Sequence, residues 1–180
     1  MSESSTPGSP ASSAPAPSPS VTAQAAGADV APGGTSIGEI LTATVPMVRT
    51  LRLEYRETTA QRAVLALPDD PDYHNHVAGP HAGAMFTLAE SASGAVVIGS
   101  FEDLLPTVTP LAASATIAYT KLQKGPVTAE ALLGRPAAEV RAELDETGKT
   151  VQFPVEVTMR DADGTETSRM TISWALRPNR

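Results

Sequence analysis

One stretch of this 180-residue chain holds side chains that could do chemistry together. It runs Asn75-His76-Val77-Ala78-Gly79-Pro80-His81-Ala82-Gly83 and continues Ala84-Met85-Phe86-Thr87-Leu88-Ala89-Glu90. A loop bearing Asn, Gly and His leads into a helix start, where unsatisfied backbone N–H groups and the helix dipole favour developing negative charge. Ala82 and Gly83 are small, so a ligand could reach those amides. Glu90 is then the only carboxylate between His81 and Ser100. An unpaired carboxylate among apolar side chains is costly and is rarely retained for packing. Desolvation beside Met85, Phe86 and Leu88 should push its pKa upward, towards that of a useful base near neutral pH. Each residue also has a purely structural use. Asn75 suits a turn, His81 a locally satisfied helix start, and Glu90 an exposed strip or a pair with arginine. His74, His76 and His81 with Asp69, Asp70 and Asp72 are metal-ligating types, but His-x-His on a loop is a weak pattern, and neither a metal nor a cofactor is expected.

The elements that must position these residues follow from periodicity. Residues 81–100 lack Pro and are apolar around almost every face, which predicts a buried central helix. Before it, Ser36 and Glu39 form a capping box for a short helix ending at Pro46. Residues 51–67 predict two antiparallel strands joined around Thr58–Gln61. After it come strands over Ala113–Lys121 and Val127–Gly134, split by Gly125-Pro126. A helix follows over Pro136–Thr147, with Pro136 in its first turn, Arg141 four before Asp145 and Gly148 as C-terminal cap. Two alternating strands, Val151–Arg160 and Glu166–Leu176, join through Asp161-Ala162-Asp163-Gly164. About six strands around one hydrophobic helix make an α+β fold with an antiparallel sheet.

Composition narrows the rest. Residues 1–35 are eight Ser, eight Ala, six Pro, four Gly and three Thr, with no Lys, Arg or aromatic residue, and so predict a disordered tail. Residues 36–180 form one domain, long enough to bury a core without staples. The absence of cysteine excludes disulfides and thiolate zinc sites. A net charge of −7 argues against a nucleic-acid surface. No apolar run reaching the length of a bilayer span is read in the sequence, and no membrane partner is expected. The opening Met-Ser-Glu-Ser-Ser has no basic or apolar signal region, so a cytoplasmic location is the expectation.

Taken together, the motif-bearing segment resembles the hotdog-fold thioesterases, the group typified by phenylacetate-pathway and related acyl-CoA thioesterases. Their pattern runs Asn, five residues, His-Gly-Gly, then Leu-Ala-Asp or Leu-Ala-Glu with the acid nine past the His. Here Asn75 lies six before His81, and Leu88-Ala89-Glu90 puts the acid nine after it. The likeness continues through Ile117-Ala118-Tyr119 and Gly125-Pro126 over about residues 45–176. It is nearest to a branch of unassigned function in which His-Ala-Gly-Ala-Met-Phe-Thr-Leu is common.

The resemblance implies a hotdog fold, a curved antiparallel sheet wrapped around a long central helix. It also implies a homodimer that hydrolyses an acyl-CoA thioester, with dimer versus tetramer left open. By that likeness Glu90 is general base or nucleophile, the Ala82 or Gly83 amide polarises the thioester carbonyl, and Asn75 and His81 orient the loop and the water or substrate. Ala82 replaces the family's first Gly, and the acid is Glu rather than Asp. Many relatives place a Ser or Thr near the start of the third strand, where the direct register here gives Ala112, with Thr109 and Ser114 nearby. A non-catalytic hotdog domain that binds acyl-CoA or another acyl ligand is the second reading. Lys121, Lys124 and Arg135 are the cations expected to meet CoA phosphates.

Helix geometry adds a constraint of its own. Gly83 and Glu90 are seven residues apart, roughly 10 Å along a helix axis. A base must come within about 3 Å of its target, directly or through one water. Both groups therefore act on one carbonyl only if they come from two chains across a two-fold interface.

Overall fold

The computed structural model describes residues 36–180; the expected Ser/Ala/Pro-rich tail, 1–35, lies outside the described residues. The capping box forms as read: Ser36 N–H donates to Glu39 Oε2 (2.8 Å) and Glu39 N–H to Ser36 Oγ (3.2 Å), opening α1 (Ile37–Thr44). Pro46 does not simply end that helix. It opens a second, α2 (Pro46–Thr50), because its ring presets a helical φ and a first turn does not need its missing N–H. The first strand starts three residues later than the alternation suggested, as β1 (Glu54–Thr58). Leu51 caps α2, and Arg52 takes a left-handed φ of 51°, which interrupts a strand. β2 (Arg62–Leu67) returns antiparallel to it.

The central helix, α3 (Ala82–Ser100), follows, and then β3 (Val108–Tyr119), β4 (Val127–Leu133), α4 (Ala137–Thr147), β5 (Val151–Arg160) and β6 (Glu166–Pro178). β3 begins five residues before the expected Ala113 and includes Pro110, which an edge strand tolerates because it pairs on one side only. Pro136 is the N-cap of α4 rather than part of its first turn, and Gly148 ends the helix at φ 58°. Arg141 does not turn to Asp145. Its guanidinium grips both carboxylate oxygens of Asp103 at 2.7 Å, a fork-to-fork geometry that one helix turn cannot offer.

The strands form one antiparallel sheet in the order β1-β2-β4-β5-β6-β3. Its concave side is read directly from period-two burial: Val151, Phe153, Val155, Val157 and Met159 of β5 point inward, as do Met170, Ile172, Trp174 and Leu176 of β6. α3 lies in that concavity against β2, β4 and β5. Its Ala84, Ala89, Ala92 and Ala95 are buried and small, which lets the sheet close onto the helix axis. This is the hotdog arrangement. At 19 residues, α3 is long and apolar enough by composition to cross a bilayer, contrary to the expectation that no run would be. Here the sheet supplies the apolar surroundings instead, and half of the helix's apolar stretch is buried inside the fold.

α1 is held to the sheet by close approach. A Cβ on Gly38 would stand 2.8 Å from Tyr55 Cβ and 2.9 Å from its Cγ. Gly38→Ala should therefore lift α1 from β1 and destabilise the protein by about 1–3 kcal/mol, read as a lower urea midpoint with an unchanged m-value.

Candidate active site

The loop before α3 is tied by its own Asn. Asn75 Oδ1 accepts from Val77 N–H (2.9 Å) and Gly79 N–H (3.3 Å), and its Nδ2 donates to Pro80 O (3.2 Å). Two backbone bonds close the same loop, Asn75 N–H to Gly79 O (2.7 Å) and Ala78 N–H to Asn75 O (3.1 Å), with Ala78 at φ 56°. A Cβ on Gly79 would fall 2.5 Å from Gln123 O, so only glycine lets the loop lie against the segment before β4. Asn75 is thus a loop-positioning residue with little capacity left for a substrate.

His81 is the N-cap of α3. Its own N–H donates to Tyr73 O (2.7 Å), and its Nδ1 accepts from Gly83 N–H (3.0 Å). This corrects one sequence expectation: the Gly83 amide is already engaged. Among the described residues nothing accepts from the Ala82 N–H, and Ala82 is exposed. Ala82 is therefore the residue whose amide can meet a ligand. Its carbonyl accepts from Tyr119 Oη (3.0 Å), which pins the helix start to the end of β3.

Glu90 lies two helical turns further on, partly buried. It lines a cavity of about 200 Å³ whose other walls are Leu41, Val45 and Val48, Tyr55, the α3 residues Ser91, Gly94 and Ile98, Pro110 of β3, and Trp174. Trp174 Nε1 donates to Ser93 Oγ (3.0 Å), which donates to Glu90 O (2.7 Å), so the indole is fixed on the turn that carries the acid. Among the described residues Glu90 has no cationic partner. Burial pushes its carboxyl above the usual range. Tyr55 is pushed up to about 12, first by burial and then by the Glu90 charge.

The other candidates divide. Asn75, Ala82 and Lys121 share the wall of a pocket of about 140 Å³, with Lys124 exposed just beyond it. His81 and Gly83 line a neighbouring one with Tyr73 and Thr87. Arg135 is not brought there: it sits past the far end of β4, where Glu143 (2.6 Å) and Glu139 (3.5 Å) of α4 hold it. Among the described residues no three His, Asp or Glu side chains converge, and His74 pairs with Asp69 (2.7 Å). Sequence reasoning did not single out Tyr55, Gln123 or Trp174. Tyr55 and Trp174 fall on apolar positions of alternating strands and read as core, and Gln123 sits in a loop with no periodic signal.

The sequence profile of a family described as a domain of unknown function, DUF4442, matches residues 33–176. The chain belongs to this family. No curated protein matches the sequence. Among solved structures, this DUF4442 chain is similar to PA5026 from Pseudomonas aeruginosa, a protein of unknown function described as a probable thioesterase. The two are 23% identical, with a TM-score of 0.71 over 79% of this chain and 94% of that one. It is also similar to a thioesterase family protein from Silicibacter pomeroyi (18% identity, TM-score 0.63, 79% and 96% of the two chains). The E. coli PaaI protein from the phenylacetic acid degradation operon shares the same architecture (13% identity, TM-score 0.59, 77% and 88%). The hotdog fold that the motif's resemblance implied is thus the fold these structures share with this chain.

The partly buried acid of this DUF4442 domain carries a stability signature. With its folded pKa raised, Glu90 favours the fold in its neutral form. That contribution is complete below the unfolded value of about 4.3 and is lost as pH rises through the folded value. Glu90→Gln should therefore raise the melting temperature at about pH 7 and change it little near pH 4. Thermal unfolding of both proteins across that range checks the sign; an equal gain at the two ends would contradict it.

Proposed function

We propose that this chain hydrolyses an acyl-CoA thioester to the free acid and CoA, with Glu90 as general base. The observation that carries the reading is Glu90 itself, a lone carboxylate of raised proton affinity on the wall of an apolar cavity. A base poised nearer neutral pH is what water activation requires. Glu90 takes a proton from water as the water oxygen bonds to the thioester carbonyl carbon. The carbonyl oxygen becomes an oxyanion, met by the Ala82 N–H, where a fixed amide is worth about 3 kcal/mol. The C–S bond then breaks, and the proton held by Glu90 passes to the departing CoA sulfur.

The reading needs two chains. Ala82 and Glu90 are eight residues apart on one helix, about 12 Å, and they line different cavities. β3 supports a homodimer. It is a sheet edge of 12 residues without a charge, and its Leu111 is 41% exposed. A long uncharged edge of this kind is a template for pairing with another strand. Because Tyr119 ties the helix start to β3, pairing along β3 carries each Ala82 amide into the interface.

Thiol release from a panel of acyl-CoAs tests the proposal. Glu90→Gln should lower kcat by about 10²–10⁴-fold, and mixed dimers with one substituted protomer should keep about half of the activity. A fully active monomer would contradict the shared site. A non-catalytic acyl-ligand domain is the second reading, favoured by Ala112, which offers no hydroxyl, and by Thr109, whose hydroxyl donates to Asn179 Oδ1 (2.6 Å). Binding of acyl-CoA without turnover by the wild type selects it. Lys121 stands beside the Ala82 pocket and Lys124 is exposed close by, so Lys121→Ala/Lys124→Ala should raise KM for CoA thioesters several-fold with kcat retained. An unchanged KM would remove these two as phosphate partners.

A further inference from the structure

Two buried side-chain hydroxyls among the described residues have no hydrogen-bond partner, those of Tyr55 and Ser168. Tyr55 lies on the wall of the cavity that holds Glu90. Its position is fixed from outside: β1 carries it, and α1 crosses so closely at Gly38 that a single added carbon would collide with Cβ and Cγ of Tyr55. The ring could pack in that place as Phe, so the hydroxyl does nothing for the fold. A buried hydroxyl left unpaired is a net cost, and where one persists beside a cavity whose wall also carries a carboxylate, ordered water is the usual partner.

We infer that Tyr55 is a positioning residue for the reaction proposed above, its hydroxyl holding the attacking water against the Glu90 carboxylate. The inference rests on the hydrolase reading of that site. The phenol O–H donates to one lone pair of the water, one water hydrogen is donated to Glu90, and the second lone pair is left to face the thioester carbon. When Glu90 takes the proton, the Tyr55 proton stays where it is. Tyr55 remains a neutral donor throughout, because burial and the Glu90 charge hold its phenol at about 12.

Ser91 of α3 brings a second hydroxyl to the cavity, but from the residue next to Glu90 on the same helix rather than from a facing element. Tyr55 and Glu90 are the only titratable side chains on its wall. α1 and α2 contribute Leu41 and Val48, β3 contributes Pro110, and β6 contributes Trp174, whose N–H is already given to Ser93.

The test is Tyr55→Phe in the full chain. The Glu90 carboxyl is followed by ¹³C NMR, its signal assigned by its loss in Glu90→Gln. A donor that polarises the water bound to the carboxylate strengthens that water's bond to the charged form, so removing it should move the Glu90 midpoint upward by about one pH unit. The acid limb of kcat/KM should move with it. kcat should fall about tenfold with KM unchanged, and the melting temperature should not drop, since no hydrogen bond to another protein group is lost. An unmoved midpoint overturns the inference whether or not the variant is active. A moved midpoint with full kcat overturns the water-holding role. Failure of the hydrolase reading is visible separately, as no turnover by the wild type, and leaves the midpoint comparison intact.

Discussion

A helix of 19 residues that is apolar on almost every face has to be covered, and the rest of this structure depends on how that is done. The sheet wraps α3 with the inward side chains of β2, β4, β5 and β6, while α1 and α2 lie over what remains. The cover is incomplete along one strip, where Phe86, Glu90, Gly94 and Ile98 recur at four-residue spacing and stay partly open. The single acid of the helix is on that strip. A carboxylate there is neither solvated freely nor buried beyond use, which is the condition that lifts its proton affinity without silencing it.

Small residues set the distances in this arrangement. Ala89, Ala92 and Ala95 let the sheet approach α3, Gly38 lets α1 approach Tyr55, and Gly79 lets the Asn75 loop approach Gln123. Each approach places a functional group: Glu90 relative to Trp174, Tyr55 relative to the cavity, and the Ala82 amide relative to β3. The chemistry at the site therefore depends on atoms that are absent as much as on those present, because a methyl at Gly38 or Gly79 would displace it.

Much of the architecture was legible in the sequence because it rests on short-range rules. Strict alternation over 151–160 marks β5 to the residue, and His81 followed by an apolar run marks the start of α3. The boundaries that shifted are those where a local device competes with the pattern. Pro46 begins a helix as well as ending one, Arg52 reverses the backbone between Leu51 and Leu53, and Pro110 is admitted to β3 because that strand is an edge. In the site, Glu90 and the Asn75–His81 loop were readable from residue type and spacing. Two things were not. The Gly83 amide is consumed by a side chain two residues away, and Arg135 is consumed by carboxylates on the following helix. Both depend on side-chain direction, which spacing does not encode. Tyr55 escaped notice because an amphipathic residue on an apolar register looks like core until the place where its oxygen ends is known.

The cap on α3 has one further implication. The His81 Nδ1 lone pair that receives the Gly83 amide exists only on a nitrogen without a hydrogen, so the cap as described belongs to the ring that carries its hydrogen on Nε2. The number of free amides at this helix end is thus set by one imidazole nitrogen. A side chain at position 81 without an acceptor there would leave the Gly83 N–H free beside that of Ala82.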